Sequence, residues 1–333
     1  MAPGRLLRFD RAGGAVTSHT LNELPGLLAD PSGWLWLDIP EPDAEAGQLL
    51  TDVFGFHPQA VRDVLERNHV PRLHVYKDVL FLVLHRPERG QHGHVHYLEL
   101  DQFLANNFLI TTHGPRNPIV PLTALLQETE EVAERILSGR FRPDSPAQLS
   151  YRLVSSLCLG EERFINQLAR DVGLLEQRVM EHAGDSDPQA FLEELFSTRH
   201  ALLTVHTMSF QSAEIYGRAV RLFTQIPKDS HRTLRDIKDQ YDRLARISHS
   251  QLDFLSGVTE DYRARTDTKM TIAAERLAVI AAITLPVTAI SSVLGMNVIV
   301  NEQTDWFWLS TLLTIMLVLS AVLLRWAKRQ GWW

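Results

Sequence analysis

Apolar positions fall into three patterns along the chain. In residues 1 to about 120 they come as short runs separated by turn residues. Trp34 to Ile39 (closed by Pro40), Val79 to Leu84 and Phe108 to Thr112 have the length and composition of strands. Between the first two, Ala44 to Phe54 and His57 to Arg67 carry helical spacing, with Pro58 at a helix start. Strands alternating with helices predict an α+β domain, layered α/β/α, with its sheet covered. From 121 to 228 the spacing is helical, with Leu153, Leu157, Phe164, Leu168, Val172, Leu175 and Val179 at steps of roughly three and four. Breaks are predicted at Asp185-Ser186-Asp187-Pro188 and at Pro227. The chain is expected to be mostly helical overall.

The third pattern is the most informative. Between Pro227 and Pro286 there is no proline, and the only glycine is Gly257. Leu234, Ile237, Tyr241 and Leu244, then Leu255, Val258 and Tyr262, follow seven-residue spacing, interrupted by polar residues such as Ser248 and Gln251. A helix from about Ser230 to Leu294 would be roughly 100 Å long at ~1.5 Å per residue. No globular core is that wide, so a stalk helix over 229–276 is expected to project from its domain or pack against copies of itself.

Leu277 to Leu294 then runs without a charge, and so does Trp306 to Leu324. Crossing ~30 Å of hydrocarbon takes about 20 apolar residues, so these stretches predict two transmembrane helices, 277–297 and 306–325. A loop at 298–305 would join them, and a basic-aromatic tail, 326–333, would follow. Trp306, Trp308, Trp326, Trp332 and Trp333 fall where interfacial aromatics belong. Arg276 precedes the first span, Arg325, Lys328 and Arg329 follow the second, and the loop between has no positive charge. The positive-inside rule then puts both termini in the cytoplasm, with the hairpin in the cell (inner) membrane.

Composition changes this picture little. Mean hydropathy is −0.09, an average that hides the uneven distribution. Asp+Glu outnumber Lys+Arg by 40 to 33, which speaks against a nucleic-acid binder. The single cysteine, Cys158, excludes an internal disulfide framework and a cysteine-rich zinc site. Residues 1–20 hold Arg5, Arg8, Asp10 and Arg11 and no apolar run, so no signal peptide is expected. No Walker-type loop or catalytic constellation is visible, so the chain is not expected to be an enzyme and no cofactor is implied.

The spans are joined through Gly295-Met296-Asn297, preceded by Leu285-Pro286-Val287-Thr288. Here the sequence resembles the CorA-type two-span divalent-cation transporters, which include ZntB-like zinc transporters. Gly-Met-Asn marks the end of their first span. Trp36-Leu37-Asp38-Ile39, Phe56-His57-Pro58, Pro71-Arg72-Leu73 and Asn107 to His113 resemble the family's soluble-domain signature. The resemblance implies a homopentamer in membrane lipid that passes divalent cations. It also implies a pore narrowed by Leu285 and Leu277, with Glu260 near its cytoplasmic end.

Physical reasoning supports a shared pore. One hairpin cannot enclose a water path, so several chains must each give a helix to the lining. Five copies of Asn297 would make a ring of neutral oxygens, suited to a magnesium ion that keeps its water shell. Thr288 and Ser291 would add hydroxyls, and Leu285 and Leu277 could close the path by dewetting. Glu302 and Asp305 in the loop would concentrate cations outside, although Val298-Ile299-Val300 makes this loop more apolar than the family's. His92, His94 and His96 alternate, and on a strand they would share a face able to take zinc, cobalt or nickel. The same stretch also reads as an exposed hairpin tip with solvated histidines. Passive entry is favoured by about 4.6 kcal/mol per 100 mV for a divalent cation. Three readings follow: passive magnesium transport, with cobalt and nickel also carried; ZntB-like zinc transport, either passive or coupled to protons; and a non-conducting membrane scaffold.

Overall fold

The computed structural model describes residues 4–12, 15–181, 187–222, 228–295 and 306–329. By chain contacts it divides into two units, residues 1–257 and 258–333.

The first unit opens with strands β1 (Arg5–Asp10) and β2 (Val16–His19), then helix α1 (Leu24–Ala29) and strand β3 (Gly33–Ile39). Helices α2 (Ala44–Asp52) and α3 (Pro58–Leu65) follow, then strands β4 (Arg72–Tyr76), β5 (Val79–Arg89), β6 (Val95–Leu104) and β7 (Phe108–Thr112). Asp43 caps α2, accepting from Ala46 N at 2.9 Å. Past its end Gly55 takes φ +65, which glycine adopts without strain. His57 caps α3 through Gln59 N, with Pro58 at the first helical position.

The seven strands form one sheet in the order β2-β1-β3-β7-β6-β5-β4. Only the β3–β7 pair is parallel. The strict alternation of β3 serves two cores. Leu35, Leu37 and Ile39 join Leu50, Ala60, Val64, Phe81, Phe103 and Ile110 in the core that α1–α3 cover. Trp36 points the other way, where its Nε1 donates to Thr111 Oγ1 at 3.0 Å.

That second face meets helices α4 (Leu122–Leu125), α5 (Gln127–Leu137), α6 (Pro146–Glu181) and α7 (Pro188–Leu222). The layered α/β/α arrangement follows. A buried ion pair, Arg86 Nε to Glu128 Oε1 at 2.7 Å, ties β5 to α5. Ser150 of α6 donates to Gln102 of β6 at 2.5 Å. Asp187 starts α7 by accepting from Gln189 N and Ala190 N, each at 3.1 Å.

Helix α8 runs from Lys228 to Gly295, 68 residues that include Pro286. Its first part packs within the first unit, where Leu234, Ile237, Tyr241, Leu244 and Leu255 are buried. Ser248, an expected interruption of that stripe, is buried as well. Its hydroxyl bonds the carbonyls of Leu244 and Ala245 in its own helix, so the polar atom costs the interface nothing. Helix α9 (Trp306–Arg329) completes the described chain.

Candidate ion-conduction helix and its surroundings

The part of α8 in the second unit is laid out by an unbroken helical backbone. Its apolar window has mean hydropathy 1.6, and none of that window is buried. By length and composition it is the one described helix able to cross a membrane. In α9 the apolar stretch, Leu313–Trp326, is shorter. The whole helix, 24 residues, is about 36 Å long.

Glu260, Leu277, Leu285, Thr288 and Ser291 are all exposed on α8. At about 100° per residue, Leu277, Leu285, Thr288 and Ser291 fall within an arc of roughly 120°, one broad face. The Thr288 hydroxyl donates to Thr284 O at 2.8 Å, and Thr284 in turn to Ile280 O at 2.9 Å. Their protons are therefore spent inside the helix, and the oxygen lone pairs remain free to accept. Gly295 is the last residue of α8. Met296, Asn297, Glu302 and Asp305 lie outside the described residues.

The histidine triplet does not share a strand. His92 lies in a short 3-10 turn, Gln91–Gly93, between β5 and β6; His94 ends that turn, and His96 belongs to β6. The rings of His94 and His96 sit 4.8 Å apart, edge to face. The His92 side chain lies outside the described set. The hairpin tip is seated against α7, with Gly93 and His94 beside Ser197, Thr198 and Ala201. Among the described residues, no three His, Cys, Asp or Glu side chains form a ready metal cage.

The soluble-domain motifs meet in one buried network. Thr111 donates to Asp38 at 2.6 Å, His113 Nε2 lies 3.1 Å from the same carboxylate, and Arg5 approaches at 3.9 Å. Burial pushes the Asp38 pKa up, but the charge and hydrogen bond of His113, with Thr111 and Arg5, hold it below its ordinary value. His57 stacks on Tyr76 at 5.1 Å. Both histidines are structural, which explains why they stand in motifs without metal-ligand spacing.

Two groups of buried acids have no counterpart in the sequence reading. Glu99 and Asp101 lie two apart on β6, so both side chains face the α3 side. Asn68 donates to Glu99, and Thr112 to Asp101. Burial raises both, Glu99 to about 7. Glu161 of α6 is wholly buried beside Ser209 of α7, and burial raises it to about 8. Both groups depend on tertiary contacts that no local pattern announces.

The layered sheet domain continues into a long helix whose apolar window has no buried residue, as expected of a membrane protein. The chain belongs to the family described as "CorA-like Mg2+ transporter protein", whose family model matches residues 31–329. It is therefore a divalent-metal-ion transporter of that family. It is 24% identical over 309 residues to YfjQ of Bacillus subtilis (strain 168), provisionally named a metal ion transporter, with 90% of each chain covered. To the cobalt/magnesium transport protein CorA of Thermotoga maritima it is 22% identical, covering 91% of this chain and 84% of that one. The complete structure of the CorA magnesium transporter from Methanocaldococcus jannaschii shares the fold at TM-score 0.80 and 15% identity, covering 100% of this chain and 99% of that one. The ZntB cytoplasmic domain from Vibrio parahaemolyticus shares it at TM-score 0.61 and 12% identity, covering 80% of this chain and 99% of that one.

Proposed function

We propose that five copies of this chain surround an axial pore in the cell (inner) membrane and pass hydrated magnesium passively inward, with cobalt and nickel also carried. The observation that carries the reading is the apolar end of α8. A helix this apolar, with none of its window covered by its own chain, must be covered by lipid and by other copies. Its one broad face then supplies the lining: Leu277 and Leu285 as apolar constrictions, Thr288 and Ser291 as hydroxyl rings. Gly295 and Met296 bring Asn297 to the outer mouth, where five amide oxygens replace outer-shell water rather than the ion's own ligands. Glu302 and Asp305 concentrate cations there, and Glu260 draws them out at the inner end. Both termini lie in the cytoplasm, as the flanking Arg and Lys residues require.

The zinc reading rests on the paired His94 and His96 rings and on the ZntB-like fold of the first unit. One assay addresses both. Purified protein in proteoliposomes is tested with magnesium, zinc, cobalt and nickel side by side, together with Asn297→Ala. Magnesium flux is expected to lead in the unmutated protein. It should fall at least about tenfold in the variant, with oligomer size unchanged. Unaltered flux and ion preference in Asn297→Ala would remove the selectivity ring, and zinc flux exceeding magnesium would install the second reading.

A further inference from the structure

The groove between α7 and α8 in the first unit contains none of the residues proposed to line the pore. It encloses about 340 Å³ and is lined mainly by His206 and Phe210 of α7 and by Asp242, Arg246, His249 and Asp253 of α8. His206 Nδ1 lies 3.0 Å from the carbonyl oxygen of Ala245. A carbonyl only accepts, so Nδ1 carries the proton, and in the neutral ring Nε2 keeps its lone pair. A carbonyl that accepts from the other ring nitrogen is how metal-binding imidazoles are oriented. The His249 ring lies 5.3 Å away, centroid to centroid, at a tilt of 34°. One turn further on, Asp253 Oδ2 is 3.7 Å from His249 Nε2. Phe210 backs the His206 ring at 6.3 Å. Asp242 is engaged by Lys238, and Arg246 is the only Lys or Arg among the lining residues.

We propose that this groove binds a borderline transition-metal dication (zinc, cobalt or nickel) through His206 Nε2 and the His249 imidazole, with Asp253 as third ligand and water completing the shell. As the side chains stand, three donors do not yet surround one point. The site is a two-histidine anchor that closes on its ion. His249 and Asp253 are exposed on the surface of α8 and can turn without disturbing the core. Two imidazole nitrogens select against magnesium, which takes oxygen ligands and keeps its water. A bound ion would tie α7 to the helix that continues as the apolar span. The site therefore excludes magnesium, the main cation proposed for the pore, while sharing cobalt and nickel with it.

The test is titration of the purified full-length protein with cobalt, read by its visible absorption band, and with zinc by competition. About one high-affinity equivalent per chain is expected, undisturbed by millimolar magnesium. His206→Ala and His249→Ala should each weaken binding at least about tenfold, and Asp253→Asn less. The double variant His94→Ala/His96→Ala should leave it unchanged. In the unmutated protein, zinc should also protect His206 and His249 from acylation, read by mass spectrometry, so that a misfolded variant does not decide the outcome. A full cobalt band in His206→Ala/His249→Ala, its loss in the His94/His96 variant, or equal acylation with and without zinc would overturn the site.

Discussion

Glu161 shows how one buried group sets a property of the whole chain. Ser209 Oγ has a single proton but lies against two acceptors, Glu161 Oε1 and the Val205 carbonyl at 3.0 Å. A protonated Glu161 removes the conflict, because it donates to Ser209 while Ser209 donates to Val205. Burial, opposed only by the Ser209 bond, raises the group to about 8. An acid whose folded pKa is raised loses stability as pH rises from its unfolded value, near 4.5, to its folded value. The loss reaches on the order of 5 kcal/mol for a shift of this size. Glu161→Gln keeps the shape and the donor and cannot ionise. It should match the unmutated protein in thermal unfolding near pH 5 and melt at a higher temperature near pH 8.5. A shallower slope of the same sign should remain, from Glu99 and Asp101, both raised by burial. Identical melting curves at both pH values would mean that Glu161 is ionised and paired.

At the scale of elements, the β5–β6 hairpin tests how the sheet is joined to the helices. Gly93 takes φ +75, and a Cβ there would stand 2.2 Å from Ser197 Cβ on α7. Gly93→Ala therefore meets both backbone strain and overlap, and should cost about 2–3 kcal/mol, read as a lowered unfolding midpoint. An unchanged midpoint would mean that the tip does not dock on α7. This hairpin also shows where the sequence stopped being legible. The strands at Trp34, Val79 and Phe108 were readable because both faces of those strands are buried and their residues are apolar. Strand β6 was not, because Glu99, Asp101 and Gln102 look like solvent-facing residues yet are buried in the structure. Their partners, Asn68, Thr112 and Ser150, come from distant segments. Of the two readings of the histidine triplet, the hairpin tip is the one seen: alternation gives a shared face only on a strand, and Gln91–Gly93 turns instead. On α8, the His249–Asp253 spacing was visible, but its neighbour His206 lies 43 positions away and only packing brings the two together.

For the molecule as a whole, the decisive fact is that one helix serves two environments. The heptad stripe of α8 is buried as far as Leu255 and Val258, and beyond them no described residue of the helix is buried. The proposed assembly of several chains would cover this segment. The proposed pore then needs a closed state that holds back a hydrated dication without binding it. Leu277 and Leu285, each about two-thirds exposed in the isolated chain, suit that task, since rings of leucine around a narrow axis shed water. Leu285→Ser should keep such a ring wet. It replaces an apolar side chain with one whose hydroxyl can bond back to its own helix, so the span survives. Basal magnesium leak into proteoliposomes should rise roughly tenfold while the assembly keeps its size. Leu285→Met, which stays apolar at similar volume, should leave the leak low. If both variants leaked equally, or neither did, the barrier would lie elsewhere on the axis and Leu285 would face lipid or a neighbouring helix instead.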